Sequence, residues 1–484
     1  MTNEAIRKPT FAEALIPIVF LIIIISVSIL KFGADPQIPL LMATIVAVLL
    51  GLKLGYKWDE MERGMIATIN SSMQAILIQM IIGIIIGTWI LAGVVPAMIY
   101  YGLQILSPSI FLPSAALLCA IISVATGSAW TTAGTVGIAL LGVGQGLGMP
   151  LPLVAGAIIS GAYFGDKMSP LSDSTNLAAA VTEVKLFDHI GHMLKTTSVS
   201  FVIALILYGI IGMKYSGSAL DAAQINQLLE ALKQHFYISP ILLLPPILVV
   251  SIVVMKVPAV PGLLCGGILG GIFAMIFQKV SLASVIIVSH YGFKCETGFK
   301  AMDSLLSRGG LDSMMYTVSL IIVAMCFGGV IEKIKVLEVI AEKLLIFTKT
   351  RGSLVLTTAL SSIFCNFTMA DQYLSIVVPG RMFRKSYEEK HLKLKNLSRV
   401  LEDSGTLTSS LVPWSTCGAF MMTTLGVHPF AYLPFAFLNL INPIVSVIYG
   451  YTGFTMETED EVIDDESVDD EEIEGEPGKL VDNL

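Results

Sequence analysis

Stretches of roughly 20 apolar residues recur along this chain and constrain its fold more than any other feature. A helix of about 20 apolar residues is long enough to cross a hydrocarbon core of about 30 Å. Only 14% of the 484 residues are charged, whereas soluble domains carry about 25%. We therefore expect an all-α, polytopic membrane protein, because β-barrel strands would be shorter and would alternate in polarity. The apolar stretches lie at 14–30, 38–52, 74–99, 197–213, 238–255, 258–277, 315–331 and 430–450.

Basic residues predict how these spans are oriented. Arg7 and Lys8 precede the first stretch, and seven basic residues lie within 381–399. Residues 53–63, which follow the second stretch, hold three more. Because loops rich in lysine and arginine stay in the cytoplasm, both termini and these two segments are expected there. The first stretch is too long for a signal peptide and lacks a clear cleavage site, so we expect it to be retained as a span.

The net negative charge of the chain comes from its last 28 residues. Residues 457–484 hold 14 of the 37 acidic residues and a single basic one, Lys479, whereas the rest of the chain has 28 basic and 23 acidic residues. A segment with so little apolar content cannot bury enough surface to fold. We expect residues 456–484 to form a disordered cytoplasmic tail.

The sequence contains a weak internal repeat. Residues 76–137 align with 317–378, an offset of 241, and "SGAYFGDKMS" aligns with "LSRVLEDSGT" at an offset of 237, which places Asp166 on Asp403. The order of apolar stretches and the charge bias predict that the two repeats are inverted, an architecture typical of secondary transporters. The expected division is N-terminal spans at 1–65, a first repeat at 66–215, a connecting helical pair with loops at 216–306, a second repeat at 307–455 and the tail at 456–484.

Two polar segments follow runs that should be helical. "DKMSPLSDST" contains Pro170, and "EDSGTLTSSLVPWST" contains Gly405 and Pro413. Proline removes a backbone donor and clashes with the preceding turn, while glycine adds conformational freedom. We expect a broken helix at mid-membrane in each half. Freed carbonyls are tolerated there only in a protein interior or a watery cavity, where they can bind a small cation such as Na⁺.

Residues 123–134 and 363–375 also interrupt apolar runs with small and polar side chains. They are expected to form the tips of re-entrant hairpins that meet the broken helices. The side chains that would then face the site or line it are Asn366 and Asp371 in the second hairpin, Thr126 and Ser128 in the first, and Ser169 beside the first break.

Carboxylates in apolar segments are the sharpest functional signal. An ionised Asp at the bilayer centre costs several kcal/mol on insertion scales, so it is rare without a role. Asp166, Asp173, Asp371 and Asp403 all lie in such segments. A carboxylate that holds either a proton or a cation is a minimal device for exchanging H⁺ against Na⁺. Lys167 is expected to pair with one of these carboxylates when the site is empty.

The segment "GAYFGDKMSPLSDSTNLAAA" resembles the signature of the NhaC-type Na⁺/H⁺ antiporter family, within the broader ion transporter superfamily. The resemblance covers most of residues 10–455. It implies a bacterial inner-membrane antiporter that exchanges Na⁺ for H⁺ and serves pH homeostasis. It points to Asp166, Asp173, Ser174, Thr175 and Asn176 as ion ligands of the first half. The internal repeat adds Asp403 and its neighbour Ser404 as candidates in the second half. A branch that exchanges malate for lactate stays open, with Lys167 as the cation for a carboxylate substrate.

Other classes are weaker alternatives. The six cysteines show no metal-binding or disulfide spacing, and no H-E-x-x-H or nucleotide-binding motif occurs. We therefore expect neither an enzyme nor a cofactor, and a cation channel is the alternative from another class. The expected partners are Na⁺, H⁺ and the lipid bilayer, with Li⁺, a small dicarboxylate or lactate as further candidates. A homodimer is left open, and no nucleic-acid partner is expected.

Overall fold

A computed structural model of the chain describes residues 6–105, 107–215, 222–255, 257–297, 302–303 and 306–459. These residues are mainly helical and contain no β-strand. The α-helices run over Phe11–Phe32, Gln37–Lys53, Trp58–Ser71, Met73–Leu91, Val94–Ile105, Pro108–Thr126, Ala129–Thr132, Ile138–Gly146, Leu151–Met168, Asp173–Val181, Leu186–Tyr215, Ala222–His235, Leu244–Val254, Ala259–Phe277, Leu282–Tyr291, Met315–Lys333, Val336–Leu345, Arg351–Met369, Gln372–Glu388, Leu394–Leu401, Leu407–Ser409, Thr416–Leu425, Pro429–Tyr432 and Phe437–Thr452. Two π-helical turns, Ala133–Gly137 and Glu402–Thr406, and three 3₁₀ turns, Pro240–Leu243, Asp312–Met314 and Leu433–Phe435, complete the set.

The expectation of an all-α membrane protein is confirmed. Seven of the described helices are long and apolar enough to cross a membrane, or up to nine spans if each of two bent helix pairs counts as one. Helices suit this environment because they satisfy every backbone polar group internally. The first span, Phe11–Phe32, turns Ile16, Val19 and Ile23 outward, and an apolar face of this kind is what lipid requires.

The same order of helices occurs twice in the described chain. Pro108–Thr126 corresponds to Arg351–Met369, and Asp173–Val181 corresponds to Thr416–Leu425. The residues that cap the helix starts follow the same rule, since Ser128 and Asp371 lie 243 residues apart. The boundaries of the elements therefore support two structurally similar sets. Their inversion across the membrane stays a prediction.

One detail of the sequence alignment is corrected by these boundaries. A single offset close to 243 fits both blocks, because Leu151–Met168 begins 243 residues before Leu394–Leu401. This offset places Ser409, not Asp403, opposite Asp166. The second block was misaligned by six residues because few side chains are identical, and one shared aspartate then fixed the wrong position.

The helices Pro108–Thr126 and Leu151–Met168 pack closely along each other. Gly161 and Gly165 face the backbone of the first helix, and a Cβ atom at either position would clash with it. The Ser123 hydroxyl donates a hydrogen bond of 2.6 Å to the carbonyl of Ala162. Small residues let helix backbones approach in this way in membranes. The contact fixes the end of Leu151–Met168, where Asp166 and Lys167 lie.

Both helix interruptions lie where the sequence predicts them. The first break, residues 169–172, separates Leu151–Met168 from Asp173–Val181 and contains Pro170. The second break, residues 410–415, separates Leu407–Ser409 from Thr416–Leu425 and contains Pro413. Gly405 does not break its helix but lies in a π-helical turn.

A short segment after the last helix holds two other helices together. We call residues 455–459 the C-terminal clamp. The backbone of Glu457 exchanges hydrogen bonds with the Asn396 side chain, at 2.7 and 3.2 Å. Its carboxylate contacts Lys195 at 3.2 Å, Lys393 at 3.5 Å and also Lys395. The clamp therefore ties Leu186–Tyr215 to Leu394–Leu401. The remainder of the predicted acidic tail, from residue 460 on, lies outside the described residues.

Candidate functional site

A cavity of about 860 Å³ lies where the hairpin tips and the first break meet. We call it the central cavity. The elements that surround it are the two hairpins, the first break with the helix that follows it, the start of the helix after the second break, the junction of Trp58–Ser71 with Met73–Leu91, and residues 257 and 258. The lining residues are Ser71, Gln74, Ala75, Ile78, Thr126, Gly127, Ser128, Trp130, Thr131, Asp166, Leu171, Ser172, Asp173, Ser174, Leu177, Val257, Pro258, Asp371, Gln372, Tyr373, Leu374, Val377, Thr416 and Cys417.

The first hairpin turns at Gly127 and Ser128, between Pro108–Thr126 and Ala129–Thr132, and we call this turn the first tip. That the two hairpins are re-entrant stays a prediction. Gly127 has φ of +68° and lies against the backbone of Leu171, so the position requires glycine for both conformation and space. The Ser128 hydroxyl caps the next helix by accepting a hydrogen bond of 3.1 Å from the Thr131 amide. Ser169 donates a hydrogen bond of 2.7 Å to the Val124 carbonyl and so ties the first break to this hairpin.

The second hairpin turns at Ala370 and Asp371, the second tip. Ala370 takes the left-handed conformation, with φ of +56°, at the position that Gly127 occupies in the first hairpin. Asp371 caps the following helix, because its carboxylate accepts hydrogen bonds from the amides of Tyr373 and Leu374 at 2.9 and 3.1 Å. The Thr416 amide donates to the Ala370 carbonyl at 2.8 Å and joins the second break to this tip.

Three of the predicted carboxylates line the central cavity. Asp166 and Asp371 are almost fully buried, with exposed fractions of 8% and 4%. Asp173 begins the helix after the first break and is exposed to the cavity. None of the described lining residues is basic, although Lys256, next to Val257 in the chain, lies outside the described residues. Buried carboxylates without a basic partner favour a cation or protons in the space between them.

The predicted acidic ligands do not form a metal-binding cluster of the usual kind. Among the described residues, no group of three or more His, Cys, Asp or Glu side chains is arranged to hold one metal ion. Besides the three aspartates, the cavity takes Ser174, Thr126 and Ser128 from the predicted set. The arrangement is a carboxylate-lined chamber rather than a tight cage of acidic ligands.

Four other predicted site residues lie outside the cavity lining and donate hydrogen bonds to backbone carbonyls. Thr175 donates to the Lys167 carbonyl at 3.0 Å, and Asn176 donates to the Pro170 carbonyl at 2.9 Å. Asn366 donates to the Gly405 carbonyl at 2.6 Å. Ser404 donates to a carbonyl of its own helix. These groups do not line the cavity, and their part in ion binding stays a prediction.

Lys167 and Asp403 form a buried ion pair beside the cavity. Both side chains are fully buried, and the Lys167 ammonium donates to one oxygen of Asp403. It also donates to the Thr197 hydroxyl at 2.9 Å. The same Asp403 oxygen accepts hydrogen bonds from Asn442 at 2.7 Å and from Thr196 at 3.2 Å. Asp403 is thus engaged with a cation of the protein itself, as predicted for Lys167 and one carboxylate.

Glu402 is a buried acid that the sequence analysis did not select. It is fully buried in the π-helical turn Glu402–Thr406, and neither carboxylate oxygen has a hydrogen-bond partner among the described residues. The hydroxyl groups of Thr406 and Ser174 lie near it without completing a hydrogen bond. π-helical turns occur frequently at functional sites. Its position beside Asp403 in a polar, membrane-depth segment was a signal that could have identified it.

Several uncharged lining residues also went unpredicted. Gln74, Trp130 and Gln372 line the cavity, and the Trp130 ring stacks on Phe420 with a centroid distance of 4.3 Å. Sequence alone gave no signal for them, because glutamine and tryptophan occur in ordinary helices at many positions. These three residues come together only because the tips and the breaks pack against each other in the folded chain.

The fold and the site together define a polytopic helical membrane protein with an acidic cavity between interrupted helices. The sequence profile of the Na⁺/H⁺ antiporter family matches residues 161–454. The Na⁺/H⁺ antiporter NhaC of Alkalihalophilus pseudofirmus is 41% identical over 453 residues, which cover 93% of this chain and 97% of that protein. The chain belongs to this Na⁺/H⁺ antiporter family, and the resemblance seen in residues 161–180 is confirmed.

Relatives with other names are about equally similar. The malate-2H⁺/Na⁺-lactate antiporter of Bacillus subtilis is 40% identical over 449 residues, covering 93% of this chain and 96% of that protein. The arginine/ornithine antiporter ArcD of Halobacterium salinarum is 38% identical over 457 residues, covering 94% of each. Sequence identity at this level does not show which of these substrates the chain transports. The chemistry of the cavity is therefore the basis for a proposal.

Proposed function

We propose that this protein is a secondary active antiporter that exchanges Na⁺ for H⁺ across the cytoplasmic membrane of a bacterium. Both termini lie in the cytoplasm in this proposal. The exchange site is the central cavity, with Asp166 and Asp173 as the carboxylates that Na⁺ and H⁺ share and Asp371 as the acid of the second half. Alternating access comes from movement of one helical set against the other.

The observation that carries this proposal is the position of Asp166. It lies at the end of a helix, almost fully buried, facing a cavity that has no basic side chain among its described lining residues. Asp173 lies across a four-residue break, on the same cavity. A carboxylate in this setting gains from either a proton or a cation, and the two compete because each neutralises the same charge.

The alternative of malate and lactate exchange is less favoured by the geometry. Lys167 was the candidate cation for a carboxylate substrate, but its ammonium is bonded to Asp403 and it does not line the cavity. A dicarboxylate would enter a space whose described lining holds three acids, which adds repulsion between like charges. Na⁺ and H⁺ meet no such barrier.

Transport by the purified full chain in proteoliposomes tests the proposal. Radioactive Na⁺ is supplied outside acid-loaded vesicles, with and without malate inside and lactate outside. We expect Na⁺ to accumulate against its gradient without any organic acid, driven by the pH difference. Accumulation that requires both acids would replace this proposal with malate–lactate exchange.

The same experiment also distinguishes an antiporter from a channel and includes a control variant. Downhill Na⁺ movement that never becomes concentrative would identify a channel instead of an antiporter. Asp188→Asn is a matched control, because Asp188 is an exposed aspartate outside the cavity lining. It should transport Na⁺ as the unsubstituted protein does.

A further inference from the structure

The central cavity is much larger than a site for a bare alkali ion. Its volume of about 860 Å³ falls within the range of about 300–1,000 Å³ that is usual for small-molecule pockets. Its lining is also mixed, since Ile78, Leu171 and Leu177 contribute apolar surface beside the carboxylates. Pockets for organic molecules combine apolar walls with a few placed polar groups in this way. A bare alkali ion gains no binding energy from contact with apolar side chains.

The carboxylates of the cavity are distributed rather than gathered. Asp166 and Asp173 flank the first break, whereas Asp371 belongs to the second tip. The described residues offer no group of three acidic, histidine or cysteine side chains around one point. Separate carboxylates suit a ligand that carries its positive charges on different atoms of an extended body.

Two aromatic side chains add a second kind of contact for a cation. Trp130 and Tyr373 both line the cavity, and Trp130 is held in place by stacking on Phe420 at an interplanar angle of 5°. Tyr373 is 38% exposed. Ammonium and guanidinium groups bind over the faces of such rings, and tryptophan is the best of them. An inorganic ion held in its hydration shell gains little from these faces.

From the size, the distributed acids and the aromatic rings, we infer that the central cavity also binds and transports an organic cation, of the class of linear alkyl amines with one or two ammonium groups. This inference rests on the proposed function, because it uses the same cavity and the same exchange against H⁺. It extends that function from an inorganic ion to an organic substrate. One ammonium lies near Asp166 and Asp173, and the other near Asp371.

Competition with Na⁺ transport is the first test. Proteoliposomes that hold the full chain take up radioactive Na⁺ under an imposed pH gradient, and putrescine is added outside over a concentration series. We expect putrescine to inhibit Na⁺ uptake and to be accumulated itself when it carries the radiolabel. Butane-1,4-diol and succinate have the same four-carbon length without positive charge, and neither should inhibit.

Substitutions place the binding in the cavity. Asp371→Asn should raise the half-inhibitory putrescine concentration about tenfold or more, because one ammonium loses its counter-charge. Trp130→Leu should raise it by a larger factor than it raises the half-saturating Na⁺ concentration, because a lost cation–π contact affects the organic cation selectively. Asp188→Asn should leave both concentrations unchanged.

The outcomes separate the two proposals. Na⁺/H⁺ exchange that putrescine neither inhibits nor accompanies would overturn the organic-cation inference and leave the proposed function standing. Putrescine accumulation without any Na⁺ movement would support the inference and overturn Na⁺ as the substrate. Inhibition that is equal in all cavity variants would overturn binding in the cavity.

Discussion

Lys167 and Asp403, which come from different halves of the chain, form an ion pair in which both side chains are fully buried. The pair joins the end of Leu151–Met168 to the π-helical turn Glu402–Thr406. Asn442 and Thr196 complete the shell of donors around the same Asp403 oxygen. The pair thus bridges the two helical sets directly beside the proposed exchange site.

The first prediction concerns the stability of this pair. Asp403→Asn leaves a buried ammonium without a counter-charge, so we expect a loss of about 3–5 kcal/mol in the free energy of unfolding. The double variant Lys167→Met, Asp403→Leu removes both charges and should be markedly more stable than Asp403→Asn alone. Thermal unfolding in detergent measures the difference. Lys185→Met, at an exposed lysine, is the control, and a double variant no more stable than the single one would contradict the prediction.

The second prediction concerns the cavity carboxylates and pH. Asp166→Asn and Asp173→Asn should abolish or strongly reduce Na⁺/H⁺ exchange while expression remains, because asparagine preserves shape but cannot carry the proton. In the unsubstituted protein, the half-saturating Na⁺ concentration should rise as the pH falls, by at most about tenfold per pH unit when one proton competes with Na⁺. Exchange is measured across a pH series. Full activity in both variants would move the site to Asp371 and Glu402.

The third prediction concerns Glu402. An ionised carboxylate without donors costs several kcal/mol at membrane depth, so we expect Glu402 to be protonated in this conformation. Glu402→Gln should therefore fold with a melting temperature at or above that of the unsubstituted protein and should exchange Na⁺ more slowly. A large drop in melting temperature would show that the carboxylate is needed for the fold. Glu389→Gln, at an exposed acid on the same half, is the control.

The fourth prediction concerns the C-terminal clamp at low pH. Burial pushes the pKa of Glu457 upward, but hydrogen bonds from Lys395 and Lys195 outweigh it and lower the pKa to about 2. A depressed carboxylate pKa stabilises the folded state fully above the unfolded value of about 4.3 and loses that effect as the pH falls toward 2. Glu457→Gln should thus lower the melting temperature at pH about 7, and the difference should shrink below pH about 4.

Glu459→Gln is the matched control for the clamp, because the Glu459 carboxylate makes an exposed pair with His391 at 3.7 Å. It should change the melting temperature little at any pH. A constant difference between Glu457→Gln and the unsubstituted protein down to pH about 3 would show that the Glu457 charge does not stabilise the clamp. If the prediction holds, the clamp stays closed throughout the physiological pH range.

Much of this architecture could be predicted from the sequence because membranes make simple demands on it. Apolar length predicted five of the seven long spans of the described chain but missed Pro108–Thr126 and Arg351–Met369. Pro170 and Pro413 predicted the two breaks, since each removes a backbone donor from a helix. The cost of charge in lipid drew attention to Asp166 and Asp371, and both line the central cavity. These signals are local and need no knowledge of which helices meet.

The rest could not be predicted because it depends on which helices meet. The sequence placed Asp403 opposite Asp166 at an offset of 237, whereas the helix boundaries give 243 and place Ser409 there. Asp403 contacts Lys167 instead, in an ion pair between two helices. Glu402 was passed over because its burial depends on the helices that pack around the π-helical turn Glu402–Thr406. Gln74 and Trp130 line the cavity because of how distant helices pack together, and the spacing of residues in the sequence does not predict that packing.

The fifth prediction concerns the glycine contact that holds Asp166 in place. Gly161→Ala puts a Cβ atom against the backbone of Pro108–Thr126, with rigid main chain as its neighbour, so the two helices have to separate. We expect a lower melting temperature and slower Na⁺/H⁺ exchange, because the shift moves the end of the helix that carries Asp166.

Gly209→Ala is the matched control, since Gly209 also lies in a long helix but a Cβ atom there would meet nothing within 4 Å. It should be neutral or stabilise the protein by up to about 1 kcal/mol through helix propensity. Equal behaviour of the two variants in unfolding and transport would show that the close packing does not position the site.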